Sequence, residues 1–188
     1  MRMEELIERL TRATIGATFN FYRDGSGAAT RCERLLVYLR ARRDAPLLLV
    51  GEAAGHRGAR ISGVPFTSER QLTGCGPAEA TATIVRRALA ELGLEEETLC
   101  WNVVPTHPHL PNRPHSNRRP TRVEIEHARP FLDELARGRT VVAVGRLAHA
   151  ILGDPYVRHP SHGGAADFRA GLLRFRSGGR RVRRFSVT

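Results

Sequence analysis

Glu52, Phe66, Asn102 and the run His159-Pro160-Ser161-His162 have the residue types and the setting for chemistry on a flat, charged substrate. Residues 51 to 66 read GEAAGHRGARISGVPF and directly follow the apolar run Leu47-Leu48-Leu49-Val50. A strand that ends in a glycine-rich loop often cradles a phosphate, but the spacing GxGxxG is absent and an acid stands second. A carboxylate there would repel phosphate. Glu52 at a strand tip suits the positioning of water or the stabilisation of a developing cation, or it is a solvated residue of a turn. Phe66 offers a rigid face for a flat base, or it fills the core. Asn102 sits inside the apolar stretch LCWNVV, where a buried amide needs partners. Backbone groups can supply them, and so can the edge of a pyrimidine. His159 at a strand end suits a neutral donor to a carbonyl oxygen, while Ser161 and the amides of Gly163 and Gly164 suit a phosphate.

Charge narrows the partner. Thirty basic residues against nineteen acids give a formal charge of +11, and every one of the thirty is arginine. The guanidinium fork matches phosphate geometry, and an excess of this size is the usual footprint of a polyanion. Without lysine there is no P-loop and no Schiff-base catalysis through a lysine side chain. Cys32, Cys75 and Cys100 are scattered without a CxxC pair, which argues against a disulfide framework and for a reducing cytoplasm. His107-x-His109 and His159-x-x-His162 lack accompanying cysteines or acids, so no metal site is expected. The N-terminal MRMEELIERLTR lacks the apolar stretch of a secretory signal, and no apolar run approaches the roughly 20 residues of a membrane span.

The elements that must position these groups follow from periodicity. Helices are expected over 3–12, 30–43, 77–92 (with Pro77 in the first turn), 121–137, 146–152 and 165–175. Thr121 and Glu124 have the spacing of a capping box. Strands are expected over 46–51, 99–104, 140–144 and 156–159, continuous in apolar character as buried parallel strands are. Alternating strands and helices give a single three-layer α/β/α domain over residues 1–188, with a mainly parallel four-stranded sheet. The tail 176–188 is basic and either disordered or an extra strand. In such sheets sites lie at the carboxyl ends of the strands, and Gly51-Glu52, Asn102 and the histidine run all fall there. One site is expected.

Taken together, the blocks GEAAGHRGARISGVPF, WNVV with a basic proline-rich loop, TVVAVGRLAHAIL and HPS resemble the uracil-DNA glycosylase superfamily across residues 47 to 175. The nearest pattern is the family carrying GEAPG, GxPF, NVV and HPS in this order. The resemblance implies a glycosylase that flips uracil out of DNA and hydrolyses its N-glycosidic bond. The missing lysine makes it monofunctional, and a cytoplasmic monomer with no cofactor is expected. The resemblance makes Glu52 the residue that positions water or stabilises the oxocarbenium-like sugar. Phe66 would stack on the base within a pocket walled by Gly51 and Ala53. Asn102 would read N3–H and O4, and His159 would donate to O2. Gly55, Ser161 and Gly163 would meet the DNA backbone, His162 would help wedge the duplex apart, and Arg113, Arg118 and Arg119 would lie on the DNA face. Two other readings stand beside this one: a glycosylase for hypoxanthine or mismatched thymine, and a non-catalytic protein that binds damaged or abasic DNA.

Three positions depart from the pattern. The motif-matched family holds an iron–sulfur cluster on four cysteines, but Thr106 and Ala128 stand at two of those places and there is no N-terminal cysteine pair, so no cluster is expected. Ala54 replaces the proline of GEAPG. In the best-known branch the third and fifth positions of the motif are aspartate and a tyrosine that excludes the thymine methyl; here they are Ala53 and Gly55, so thymine exclusion rests on other residues or is incomplete, and the base range is open.

Overall fold

Strand side chains alternate between two apolar faces, and this alternation builds the layers. The computed structural model describes residues 2–175; the basic tail lies outside the described residues. Helices α1 (Met3–Arg12) and α2 (Ala28–Ala41) precede strand β1 (Leu47–Ala53). Short helices α3 (Ala59–Ser62) and α4 (Glu69–Thr73) follow, then α5 (Ala80–Leu92) and β2 (Thr98–Val104). The chain continues through α6 (Arg122–Ala136), β3 (Thr140–Val144), α7 (Arg146–Leu152), β4 (Tyr156–Val157), α8 (Ala165–Leu172) and a 3-10 turn at Leu173–Phe175. The strands form one all-parallel sheet in the order β2-β1-β3-β4.

Leu48 and Val50 of β1, Leu99 and Trp101 of β2, and Val141 and Ala143 of β3 point to one face. There they meet Leu6 and Leu10 of α1, Leu35 and Leu39 of α2, and Phe131, Leu132 and Leu135 of α6. Leu47, Leu49, Cys100, Val142 and Val144 point the other way, onto Val85, Leu89 and Leu92 of α5 and Phe168 and Leu172 of α8. A period of two along each strand thus feeds both outer layers. The three-layer α/β/α architecture is the one expected from the sequence. No helix among the described residues is long and apolar enough to cross a membrane.

Local details differ from expectation. Pro77 lies outside the helix it was expected to open: its carbonyl accepts from Arg70 N–H, which holds the segment back against α4, and α5 begins only at Ala80. The loop after β1 contains α3 and α4, each a turn or so long and too short to show a period. Strand β4 is two residues, because only Ala143 and Val144 pair with it at the sheet edge. The capping box is present as read: Glu124 N–H donates to Thr121 Oγ1 and Thr121 N–H to Glu124 Oε2.

Candidate active site at the carboxyl ends of the strands

Register brings the site together. Gly51 of β1 pairs with Asn102 of β2, and the turn after β4 carries His159 over Gly145 at the end of β3. A cavity of ≈ 260 Å³ opens at this edge, lined by Gly51, Glu52, Phe66, Asn102, His159 and Ser161 among others. That is below the roughly 300–1,000 Å³ of pockets for drug-sized ligands, a size for a nucleobase and the sugar it carries.

The floor is set by a missing side chain. A Cβ on Gly51 would stand 2.5 Å from Phe66 Cζ and 2.8 Å from Asn102 Oδ1, so only glycine lets the ring and the amide meet there. Phe66 is 8% exposed and holds φ +51, a left-handed conformation costly for an aromatic residue. It belongs to the apolar cluster of Leu89 and Val142 and also lines the cavity. A Gly51→Ala substitution is expected to displace the ring and amide. A misplacement near 1 Å costs roughly 10²-fold in rate. Single-turnover excision, alongside a melting curve to verify folding, checks this.

Asn102 is 5% exposed, and among the described residues its carboxamide has no hydrogen-bond partner although it faces the cavity. Backbone satisfaction, one of the two options in the sequence, is not what the structure shows. His159 lines the same cavity. Ser161 N–H donates to His159 Nδ1 at 3.2 Å, and the Ser161 hydroxyl lies 2.7 Å from the same nitrogen. An Nδ1 that accepts carries no proton, which places the ring proton on Nε2. Burial, with a smaller contribution from His162, holds the imidazole below its usual range. His159 is therefore a neutral ring with an N–H donor, as its setting at the strand end implied.

Glu52 is half-buried; burial pushes its carboxyl up and the nearby Arg119 guanidinium pulls it back down. Ala53 and Gly55 line the same wall. Ser161 Oγ also lies 3.0 Å from Nδ1 of the exposed His162, so this hydroxyl orients the histidine pair. His162 (φ +52) and Gly163 (φ +76) form the outer turn. Arg113 and Arg119 are exposed on the proline-rich loop.

Arg118, expected on the DNA face, lines the cavity, and its Nη1 and Nη2 donate to the two oxygens of Glu124 at 2.8 and 2.6 Å while its Nε donates to His109 O at 2.8 Å. The buried carboxylate of Glu124 commits this arginine to holding the loop. His107, considered for metal because of its spacing from His109, is fully buried with Nδ1 2.8 Å from Ala54 O, where it ties the loop to the turn after β1.

The sequence did not point to Glu79, Thr81, Pro108 and Asn117, which also line the cavity. Asn117 Oδ1 accepts from His56 N–H at 3.0 Å, the second tie between loop and turn. No motif marks these positions; only the path of the chain brings them in.

The iron–sulfur cluster of the motif-matched family does not fit these residues. Thr106 is buried with its hydroxyl 2.5 Å from that of Thr18, and Ala128 is packed in the core of α6. Cys32 sits on α2, Cys75 on the surface after α4, and Cys100 is buried in β2. Among the described residues no three His, Cys, Asp or Glu gather as metal ligands.

Comparison with known families decides the affiliation. A model of the uracil DNA glycosylase superfamily matches residues 40–176. The chain belongs to the uracil-DNA glycosylase superfamily. Membership supports DNA glycosylase chemistry, with DNA as the substrate, for the cavity at the strand ends. Curated proteins yield no match. Among solved structures, wild-type SMUG2 of Pedobacter heparinus superposes with a TM-score of 0.64 at 15% identity, over 93% of this chain and 95% of that one. At that identity the likeness concerns the fold alone.

Proposed function

We propose that this protein is a monofunctional glycosylase that removes uracil from DNA and leaves an abasic site, working as a monomer. The observation that carries the reading is the nearly buried, unpartnered carboxamide of Asn102, in one cavity with the Phe66 ring and the neutral His159. A flipped uracil gives that amide its missing partners: N3–H donates to Oδ1, and Nδ2 donates to O4. The ring of Phe66 stacks on the base, and the Nε2–H of His159 donates to O2. As the N-glycosidic bond lengthens, its electron pair moves onto the base and the sugar gains positive charge. His159 and Asn102 stabilise the first charge and Glu52 the second, all held in place before the reaction. Water held by Glu52 completes the hydrolysis at C1′. Arg113 and Arg119, with the Ser161–Gly163 turn, hold the phosphates and offset the few kcal/mol of extruding the base. With no lysine in the chain, the strand stays intact.

Labelled oligonucleotides bearing one uracil, hypoxanthine or guanine-opposed thymine, single- and double-stranded, test this in the presence of EDTA. Strand breaks at uracil that appear only after alkali are the expected result. Breaks without alkali contradict monofunctional chemistry. Tight binding with no alkali-labile site makes the protein a damage binder and removes the role given to Glu52.

A further inference from the structure

The end of the sheet opposite the active site carries two adjoining features that the glycosylase reaction does not use. Pro46 stands directly before β1 and Arg139 directly before β3. Their loops border a cavity of ≈ 520 Å³ that is also lined by Arg43, Asp44, Glu134 and Arg137. Arg139 is 9% exposed. Its Nε donates to Ala45 O at 3.0 Å, its Nη1 to Leu135 O at 2.6 Å and its Nη2 to Arg43 O, so one guanidinium fastens the loop before β1 to the end of α6. These bonds leave further N–H donors of the group over. Of the acids nearby, Glu134 pairs with Arg9 and Asp133 with Arg129. Among the described residues the exposed Arg43 and Arg137 have no carboxylate partner, and Asp44, near Arg139, makes no ion pair. Beside this cavity Leu132 and Ala136 of α6, Val141 of β3 and Leu152 of α7 line an apolar slot of ≈ 50 Å³. Arg137 borders both.

We propose that this surface docks an acidic segment of a partner protein, with one aliphatic side chain in the slot and carboxylates on Arg43, Arg137 and Arg139. The two features together select a peptide. Guanidinium forks match carboxylates two N–H groups at a time, and the slot takes the end of an aliphatic side chain, which a nucleic acid backbone lacks. A phosphate chain also sets a charge at every step, and Asp44 on the rim repels it; a peptide can place a neutral residue there. An apolar anchor beside charged contacts is the usual make-up of a small specific interface. Its position suits simultaneous binding of DNA. Strand β1 is seven residues long and spans about 23 Å, so a partner held at its start leaves the site at its end open.

Fluorescence anisotropy with a short fluorescein-labelled peptide, one leucine set among aspartates, tests this with and without an unlabelled, uracil-free duplex. Saturable binding that survives the duplex is expected. Arg137→Glu should weaken it about tenfold, because the reversal puts like charges together, while Arg113→Glu leaves it unchanged. A peptide with serine in place of leucine should bind about tenfold more weakly. Ala136→Leu, which fills the slot from within, should weaken the leucine peptide and leave the serine peptide as it was. Melting curves verify that the variants fold. A wild type that binds no peptide would overturn the proposal, as would equal affinity for the leucine and serine peptides. Peptide displaced by the duplex, or lost in Arg113→Glu and kept in Arg137→Glu, sits on the DNA face and also overturns it. Duplex affinity that falls in Arg137→Glu while peptide affinity holds would make this surface a second nucleic acid contact instead.

Discussion

His159→Ala and Asn102→Ala each lose about 10²–10³-fold in single-turnover uracil excision, the usual cost of removing one preorganised donor from a developing anion. DNA affinity is expected to stay nearly unchanged in both, because the contacts proposed to carry binding are exposed arginines such as Arg113 and Arg119. That affinity falls steeply as salt rises, since each neutralised phosphate releases counterions. The pH profile carries a sign as well. His159 works as a neutral donor with its ionisation held below the usual range by burial, so it is in the working form through neutral pH. Glu52 must be ionised, and its carboxyl is pushed up by burial. Excision of uracil should therefore decline as pH falls through the raised Glu52 value and through the lowered His159 value. In His159→Ala the decline due to His159 disappears. Excision at wild-type rates by both variants would remove these side chains from the site.

The second large effect is on stability. Glu124 is 1% exposed and Arg118 19%, so Arg118→Ala leaves a carboxylate buried without its bidentate partner. Breaking a fully buried pair costs about 3–5 kcal/mol, and the partial exposure of Arg118 brings the expectation to roughly 3 kcal/mol. Burial acts to raise the Glu124 carboxyl, but the Arg118 guanidinium and the Thr121 N–H outweigh it, so its folded value lies below the usual range. A depressed carboxylate adds stability that is present above its unfolded value and lost as pH falls through the folded one. The gap between wild type and Arg118→Ala should thus be widest near neutrality and shrink in acid. Denaturant unfolding across pH measures it. A variant as stable as the wild type would show that the Arg118–Glu124 pair does not hold the loop.

How far the sequence reached is clear from these same residues. Strands β1, β2 and β3 announce themselves as apolar runs, and the alternating faces of Leu47 to Val50 require cover on both sides. Once the strands are placed, Gly51-Glu52, Asn102 and His159 fall at one edge of the sheet, so the heart of the site was legible. The pairing of Arg118 was not legible because its partner, Glu124, is visible in sequence only as a capping residue, and nothing local shows that one carboxylate serves both the helix and the loop. Glu79 lay hidden for a related reason. It acquires its place when α4 and Pro77 fold the chain back over Gly55 and Gly58, and those contacts have no period. Side chains set by strand ends can be read from pattern; those set by returning loops cannot.

The most direct test of the central claim is to identify what leaves the DNA. A duplex with a single uracil is incubated with the protein in EDTA, released bases are quantified by mass spectrometry, and alkali-labile sites are counted in the same sample. Free uracil in equal amount to alkali-labile sites, with strands intact before alkali, is the result predicted here. DNA that is bound while no free uracil appears would contradict it.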